Sequence, residues 1–493
     1  MTASTVCGTR NTKARPSYPW GRSIRRAFTL LSVATLVGAV APRAAMAEGS
    51  DPKFKLTTDR VDFFMYGRMG TGWTPSGQVI AGRYMNLGDR KAIGGRLEEG
   101  DYLEPGLRYH MLQGTKETDT MADLVMDVEM WSTDGAILSD LASGALDELK
   151  IFPLQAYVQA HNVLVPDLDI WIGARLYRKQ DVHIADYFYF NSLPSQGLGA
   201  MYKGLDTAIL VTTGASPFYQ VDMNAGRPAP STPDMARRLR TMFVAQYALP
   251  IGLRTSFVQP LGEVHVVPKS AKGEIDAPPN VNPSDYGWVA GAKLHLDLGG
   301  ENFNSTSIRY GTRIANGAAS GRSTYDTFGL PALDGTYKGA AGVEFVEHFG
   351  VQFGQVLALN GYGTLHYDRG ARGHAPLTPD EPPDTRLDYT VGIRPVAYLH
   401  PQFHLMAEAT YQARKDQGRE LGTATKLSIV PTIVPGGKEG EASVWARPHF
   451  RLIYTFGYYN EAAMTQLMSP YLQTVGPTRY AHFLGARAEW WFY

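Results

Sequence analysis

Five aromatic residues stand two positions away from an ionisable one: Tyr66 from Arg68, Tyr102 from Glu104, Tyr177 from Arg175, Phe188 from Asp186 and Trp491 from Glu489. In an extended chain that spacing puts both side chains on one face. A ring beside a charge suits a solute with flat apolar C–H faces and a rim of hydroxyls, as a sugar has. The ring covers the face, and the ionised group makes strong hydrogen bonds to the rim. An aromatic on an outward face would instead belong to a girdle between lipid and water, and spacing alone leaves both uses open. Catalytic chemistry has less support. The chain has no Gly-x-Ser-x-Gly elbow, His-Glu-x-x-His pair, Walker loop or calcium-loop spacing. Asp181 and Asp186 flank His183, but a Ser/His/Asp set can be assembled from the 12 histidines in most chains this long. Turn residues between strands account for these three better.

The elements that must hold such residues are strands. Val61, Phe63, Met65 and Met69 alternate with Asp62, Phe64, Tyr66 and Arg68. The same period of two recurs in Leu103, Leu107, Tyr109 and Met111 against Tyr102, Glu104, Arg108 and His110. It recurs again in Ile170, Ile172, Ala174 and Leu176 against Trp171, Arg175, Tyr177 and Lys179. At the end of the chain, Leu484, Ala486, Ala488, Trp490 and Phe492 share one face, and Gly485, Arg487, Glu489 and Trp491 share the other. One apolar face and one face mixing charges with aromatics fits a wall between lipid and a watery lumen, which is a transmembrane antiparallel β-barrel. Gly/Pro/Ser/Asp-rich stretches such as 226–234, 271–285, 316–322, 369–384 and 435–441 read as loops.

Bulk composition agrees. Arg22, Arg25 and Arg26 precede an apolar run, Ala27 to Ala41, too short to span a bilayer, and Ala45-Met46-Ala47 offers a cleavage site. Residues 1–47 are therefore expected to be a signal peptide and 48–493 a single barrel domain. The one cysteine, Cys7, lies in the leader, so the mature chain is expected to have no disulfide or thiolate chemistry. Seven basic residues and no acid also lie there, so the mature chain carries seven more acids than bases. That argues against nucleic acid as a partner. No stretch is long and apolar enough for a transmembrane helix, while 27 Tyr, 20 Phe and 52 Gly supply strands and tight turns. At ~25 residues per strand and turn, the mature chain accommodates ~16–18 strands, enough to enclose an aqueous channel. Alternation starts near Val61 and leaves no room for a plug domain, which favours passive passage.

One long block carries a resemblance. Ile170-Trp171-Ile172-Gly173-Ala174-Arg175-Leu176-Tyr177, followed by Asp181-Val182-His183-Ile184-Ala185-Asp186-Tyr187-Phe188-Tyr189, resembles the maltoporin family of sugar-specific porins. Val61-Asp62-Phe63 with Tyr66-Gly67-Arg68, Val391-Gly392-Ile393-Arg394-Pro395, Val444-Trp445-Ala446-Arg447-Pro448 with Arg451, and the closing strand agree with it. The resemblance implies a homotrimer of barrels of about 18 strands in the outer membrane of a Gram-negative-type bacterium. It implies facilitated diffusion of maltose and maltodextrins, with no cofactor and no metal. Position by position, Tyr66, Tyr102 and Trp491 match an aromatic slide for the sugar. Arg68, Arg96, Glu104, Lys179, Asp181 and Asp186 match the polar track beside it. Phe188 stands where the family has a constriction tyrosine, and Lys179 stands for an arginine. Leu399 falls where a slide tryptophan is expected, with Tyr398 as a neighbouring substitute, and the basic residue that the resemblance leads one to expect near Leu154 is absent. These departures keep open a porin of the same fold with low or different solute preference. An outer-membrane hydrolase is the remote alternative.

Overall fold

The structure is a computed structural model that describes residues 60–75, 84–88, 93–116, 118–132, 135–137, 149–178, 180–212, 239–269, 283–317, 327–373 and 383–492. The expected signal peptide and Lys179 lie outside the described residues. Eighteen antiparallel strands close into a barrel. Each pairs with its neighbours in chain order, and the last strand, Tyr480–Phe492, closes on the first, Val61–Trp73. At this seam Tyr66 stands opposite Trp491, and Arg68 opposite Glu489. Leu249–Pro250 continues the wall strand Arg240–Tyr247 past an interruption at Ala248, and both pair with Phe257–Val267.

The strands are inside out relative to a sheet in a water-soluble protein. In Phe257–Val267 the residues Gln259, Glu263 and His265 are buried, while Val258, Val264 and Val266 are exposed. Valines outside and charges inside are stable only if the outer medium is lipid and the inner face is hydrated or internally paired. Closure satisfies the same demand for the backbone, because an open sheet edge in hydrocarbon would leave N–H and C=O groups without partners. Tyr286, Trp288, Tyr310, Tyr367 and Tyr454 are among the exposed aromatics, as an interface girdle needs. Trp490 packs outside against Gly67, where a Cβ would run into the indole.

Connections alternate in length. Short turns such as 203–204, 300–301 and 401–402 mark one rim, and long ones such as 268–284, 313–340 and 370–384 mark the other. Three segments turn into the lumen. In the connection after the first strand, Tyr84, Met85, Leu87, Ile93 and Leu97 are buried. Gln412 donates to the carbonyl of Ile93, and Lys426 Nζ lies 2.5 Å from Glu98. The 176–194 segment follows Leu168–Arg175, which ends sooner than its alternation predicts, so Leu176 is buried inside instead of facing outward. This segment carries a 3-10 turn, His183–Ala185, and a two-residue ladder pairing Asp181 with Phe188. It is pinned to the far wall, where the Tyr187 hydroxyl donates to Glu344 and meets His366 Nε2 at 2.7 Å, and Phe190 N–H donates to the same Glu344 at 3.2 Å. The third segment, 434–448, enters from the short-turn rim, where Ser443 hydroxyl donates to Glu301 at 2.5 Å.

Candidate functional site

The three inward segments converge on the seam of the barrel. Strand alternation turns Tyr66 and Trp491 inward from adjacent strands, and their rings stack at 6.4 Å between centroids. Tyr102, at the start of Tyr102–Leu112 on the other side of the first strand, brings its ring to 6.0 Å from Tyr66. Three of the four expected slide residues therefore form one continuous row. Phe188 does not join it. Its ring lies on the inward segment under the Arg178 guanidinium, 3.8 Å from the ring centroid. Tyr177 is also elsewhere, with its hydroxyl donating to Asp206 at 2.9 Å and its ring beside Trp171.

A layer of charge lines the row. Arg68 and Arg96 both grip Glu99 Oε2, at 2.9 and 2.8 Å. Arg96 also donates to the Tyr66 hydroxyl at 2.9 Å and to the His183 carbonyl at 3.2 Å, and lies 3.9 Å from Asp186. Tyr66 in turn donates to Glu489 Oε1 at 3.1 Å. The Tyr102 hydroxyl lies 2.9 Å from Glu104 and 3.2 Å from Glu129. Arg68, Arg96, Glu104 and Asp186 thus stand along the aromatic row. The Asp181 carboxylate is buried on the inward segment, and neither of its oxygens has a hydrogen-bond partner among the described residues. Burial, reinforced by the nearby Asp186 charge, pushes its acid up to about 7. Burial also holds His183 well below its ordinary value against the pull of Glu489, so the imidazole is neutral near pH 7.

Four further residues belong to this site. His183 meets Trp491 edge-on at 5.5 Å and Trp445 at 5.9 Å. Arg447 lies 3.7 Å over the Trp491 ring and 3.1 Å from Glu489, which also takes Arg451. Trp445 and Arg447 sit on an irregular segment, where alternation carries no information about direction; their only signal was the Trp445-x-Arg447-Pro448 block. Leu399 is exposed, while its neighbour Tyr398 turns inward, donates to Gln352 at 2.9 Å and meets His404 edge-on at 4.7 Å. The inward ring at that position is the tyrosine. Lys179 lies outside the described residues. A cavity of about 360 Å³, counting the part open to solvent, is lined by Arg68, Arg96, Glu99, Arg451, Arg487 and Glu489 among others. No cluster of metal-ligating side chains occurs among the described residues.

Comparison with known proteins gives the family. Curated relatives named maltoporin, from two strains of Vibrio cholerae serotype O1, are 25% identical over 447 residues, covering 87% of this chain and 93% of theirs. Among solved structures, the outer membrane channel DcaP of Acinetobacter baumannii matches with a TM-score of 0.37 and 9% identity, over 89% of this chain and 99% of that one. Pseudomonas aeruginosa OpdK, solved with vanillate, matches at 0.41 and 8%, over 88% and 98%. The family model described as LamB porin matches residues 61–492, which span every strand of the barrel. The chain belongs to the LamB porin family and is an outer-membrane channel, not an enzyme.

Proposed function

We propose that this outer-membrane porin carries sugars, maltose and maltodextrins first among them, by facilitated diffusion through a homotrimer. The observation that supports this reading is the continuous row Trp491–Tyr66–Tyr102 beside Arg68, Arg96, Glu99 and Glu489. Rings offer successive sugar faces a surface of similar strength, so a chain can slide from one to the next. Guanidinium and carboxylate groups that already bond one another can exchange those bonds for sugar hydroxyls without being left bare at any point. Binding at each station is weak enough to leave and strong enough to enter. Asp181, Asp186 and Phe188 would narrow the path from the inward segment.

A second reading, a porin tuned to another solute, draws on one specific feature. The Arg447 guanidinium occupies one face of Trp491, so a neutral sugar stacking there must displace a cation. Planar-bilayer conductance with titrated maltotriose tests the first reading. Stepwise, saturable block supports it; a current that no maltodextrin reduces refutes it.

A further inference from the structure

The charges around the cavity do not balance, and the imbalance is concentrated at one residue. Arg68, Arg96, Arg394, Arg451 and Arg487 line it against Glu99 and Glu489. Glu99 Oε2 serves two guanidiniums, Arg68 and Arg96. Glu489 Oε2 likewise serves Arg447 and Arg451. Arg394 is matched by Glu408 at 2.5 Å, and Asp186 stands 3.9 Å from Arg96. Arg487 has no such match. Its Nε and Nη1 are buried without a hydrogen-bond partner among the described residues. Two carboxylates act on it electrostatically, and both are engaged elsewhere: Asp101 accepts from the backbone N–H groups of Gly70 and Ile137 at 2.9 and 3.1 Å, and Glu99 holds Arg68 and Arg96.

The register makes this more costly. Arg487 pairs directly across the strands with Arg451, both on the lumen face. Like charges in directly opposed positions repel, and a buried guanidinium without an acceptor forfeits its solvation. Two opposed guanidiniums aimed into a cavity form a fork for a planar or tetrahedral oxyanion.

We propose that this cavity is a subsite for an anionic group, a carboxylate or phosphate borne by a sugar, seated at Arg487 and Arg451 while the sugar ring lies toward Trp491. This rests on the sugar-channel reading and names a charged class of solute for the same path. The anion supplies the missing acceptor for Arg487 and offsets the positive charges around it, Arg451 across the strands and Arg68 beside it.

The test uses the purified full-length channel in planar bilayers at ~0.1 M KCl, where screening is moderate. Half-block concentrations are measured for maltose, maltobionate, maltose 1-phosphate and inorganic phosphate. Expected is block by at least one charged sugar at about tenfold lower concentration than by maltose. That ratio should collapse toward unity at ~1 M KCl and in Arg487→Gln, and survive in large part in Arg487→Lys. Which charged sugar gains more identifies carboxylate or phosphate as the group. Equal block by maltose and both charged sugars in the unaltered channel overturns the proposal, whether or not the variants assemble. A ratio insensitive to salt, or to Arg487→Gln, also overturns it. Inorganic phosphate blocking as well as maltose 1-phosphate would overturn the claim that a sugar carries the anion. Block by charged sugars without block by maltose sinks the neutral-maltodextrin reading and leaves this one standing; block by maltose alone does the reverse.

Discussion

Replacing Trp491 by alanine tests the aromatic row at its most informative point. The indole offers one face to the lumen, and stacking a sugar on it hides roughly 60 Å² of ring, worth ~1.5 kcal/mol at about 25 cal/mol per Å². Arg447 already sits 3.7 Å over that ring, and giving up the cation–π contact while keeping its ion pair with Glu489 costs about 0.5 kcal/mol. The difference, ~1 kcal/mol, is about a fivefold change in affinity. Trp491→Ala should therefore raise the half-block concentration of maltotriose about fivefold, while Trp491→Phe, which keeps a ring, should change it less than twofold. Open-channel conductance in sugar-free salt controls for assembly, since a misclosed barrel would not give the parental step size. A half-block concentration within twofold of the parent in Trp491→Ala would remove Trp491 from the path. A lower one would mean that Arg447, once released, binds sugar better than the indole does.

Two further outcomes follow from the inward segments. Asp181, pushed up to about 7, is neutral below that pH and anionic above it. The ratio of chloride to potassium permeability should thus fall as pH rises from about 5 to about 9. Asp181→Asn should shrink that fall, and a fall of the parent's full size in the variant would assign it to other acids. Tyr187→Phe deletes the hydroxyl that ties the 176–194 segment to Glu344 and His366, a loss of about 1–3 kcal/mol from the pin because Glu344 stays buried. Current noise in the open channel should increase, and noise equal to the parent's would show that Phe190 N–H, donating to the same Glu344, holds the segment unaided.

The barrel was legible because lipid on one side and charge on the other impose a strict period of two. Val61 to Arg68 and Leu484 to Phe492 show it plainly, and the structure places both sets as the alternation reads. The row Trp491–Tyr66–Tyr102 follows from the same rule, since each residue lies on a regular strand. Phe188 and Tyr177 share the two-residue spacing to a charge, yet that spacing means one face only while the chain stays extended. The wall strand stops at Arg175, and beyond it the spacing loses its meaning. Arg96 was reachable only by resemblance, because a long connection brings it to Tyr66. Trp445 and Arg447 were missed for the same reason. Arg487 was visible as an inward charge, but its lack of a counter-ion depends on what Asp101 and Glu99 bond instead, which no strand pattern encodes.

The seam also determines when the site can exist. Tyr66 and Glu489, joined by a hydrogen bond, are 423 positions apart in the chain, and Trp491 stacks on Tyr66 only once the first and last strands have met. Such a distant pairing is the slowest kind of contact to form. The solute path is therefore a product of the final closing step and is absent from every partly formed sheet before it. Sugar block consequently reports on assembly as well as transport: a chain can insert all its strands and conduct, yet a slip of one residue at this seam would turn Trp491 to lipid and erase the row.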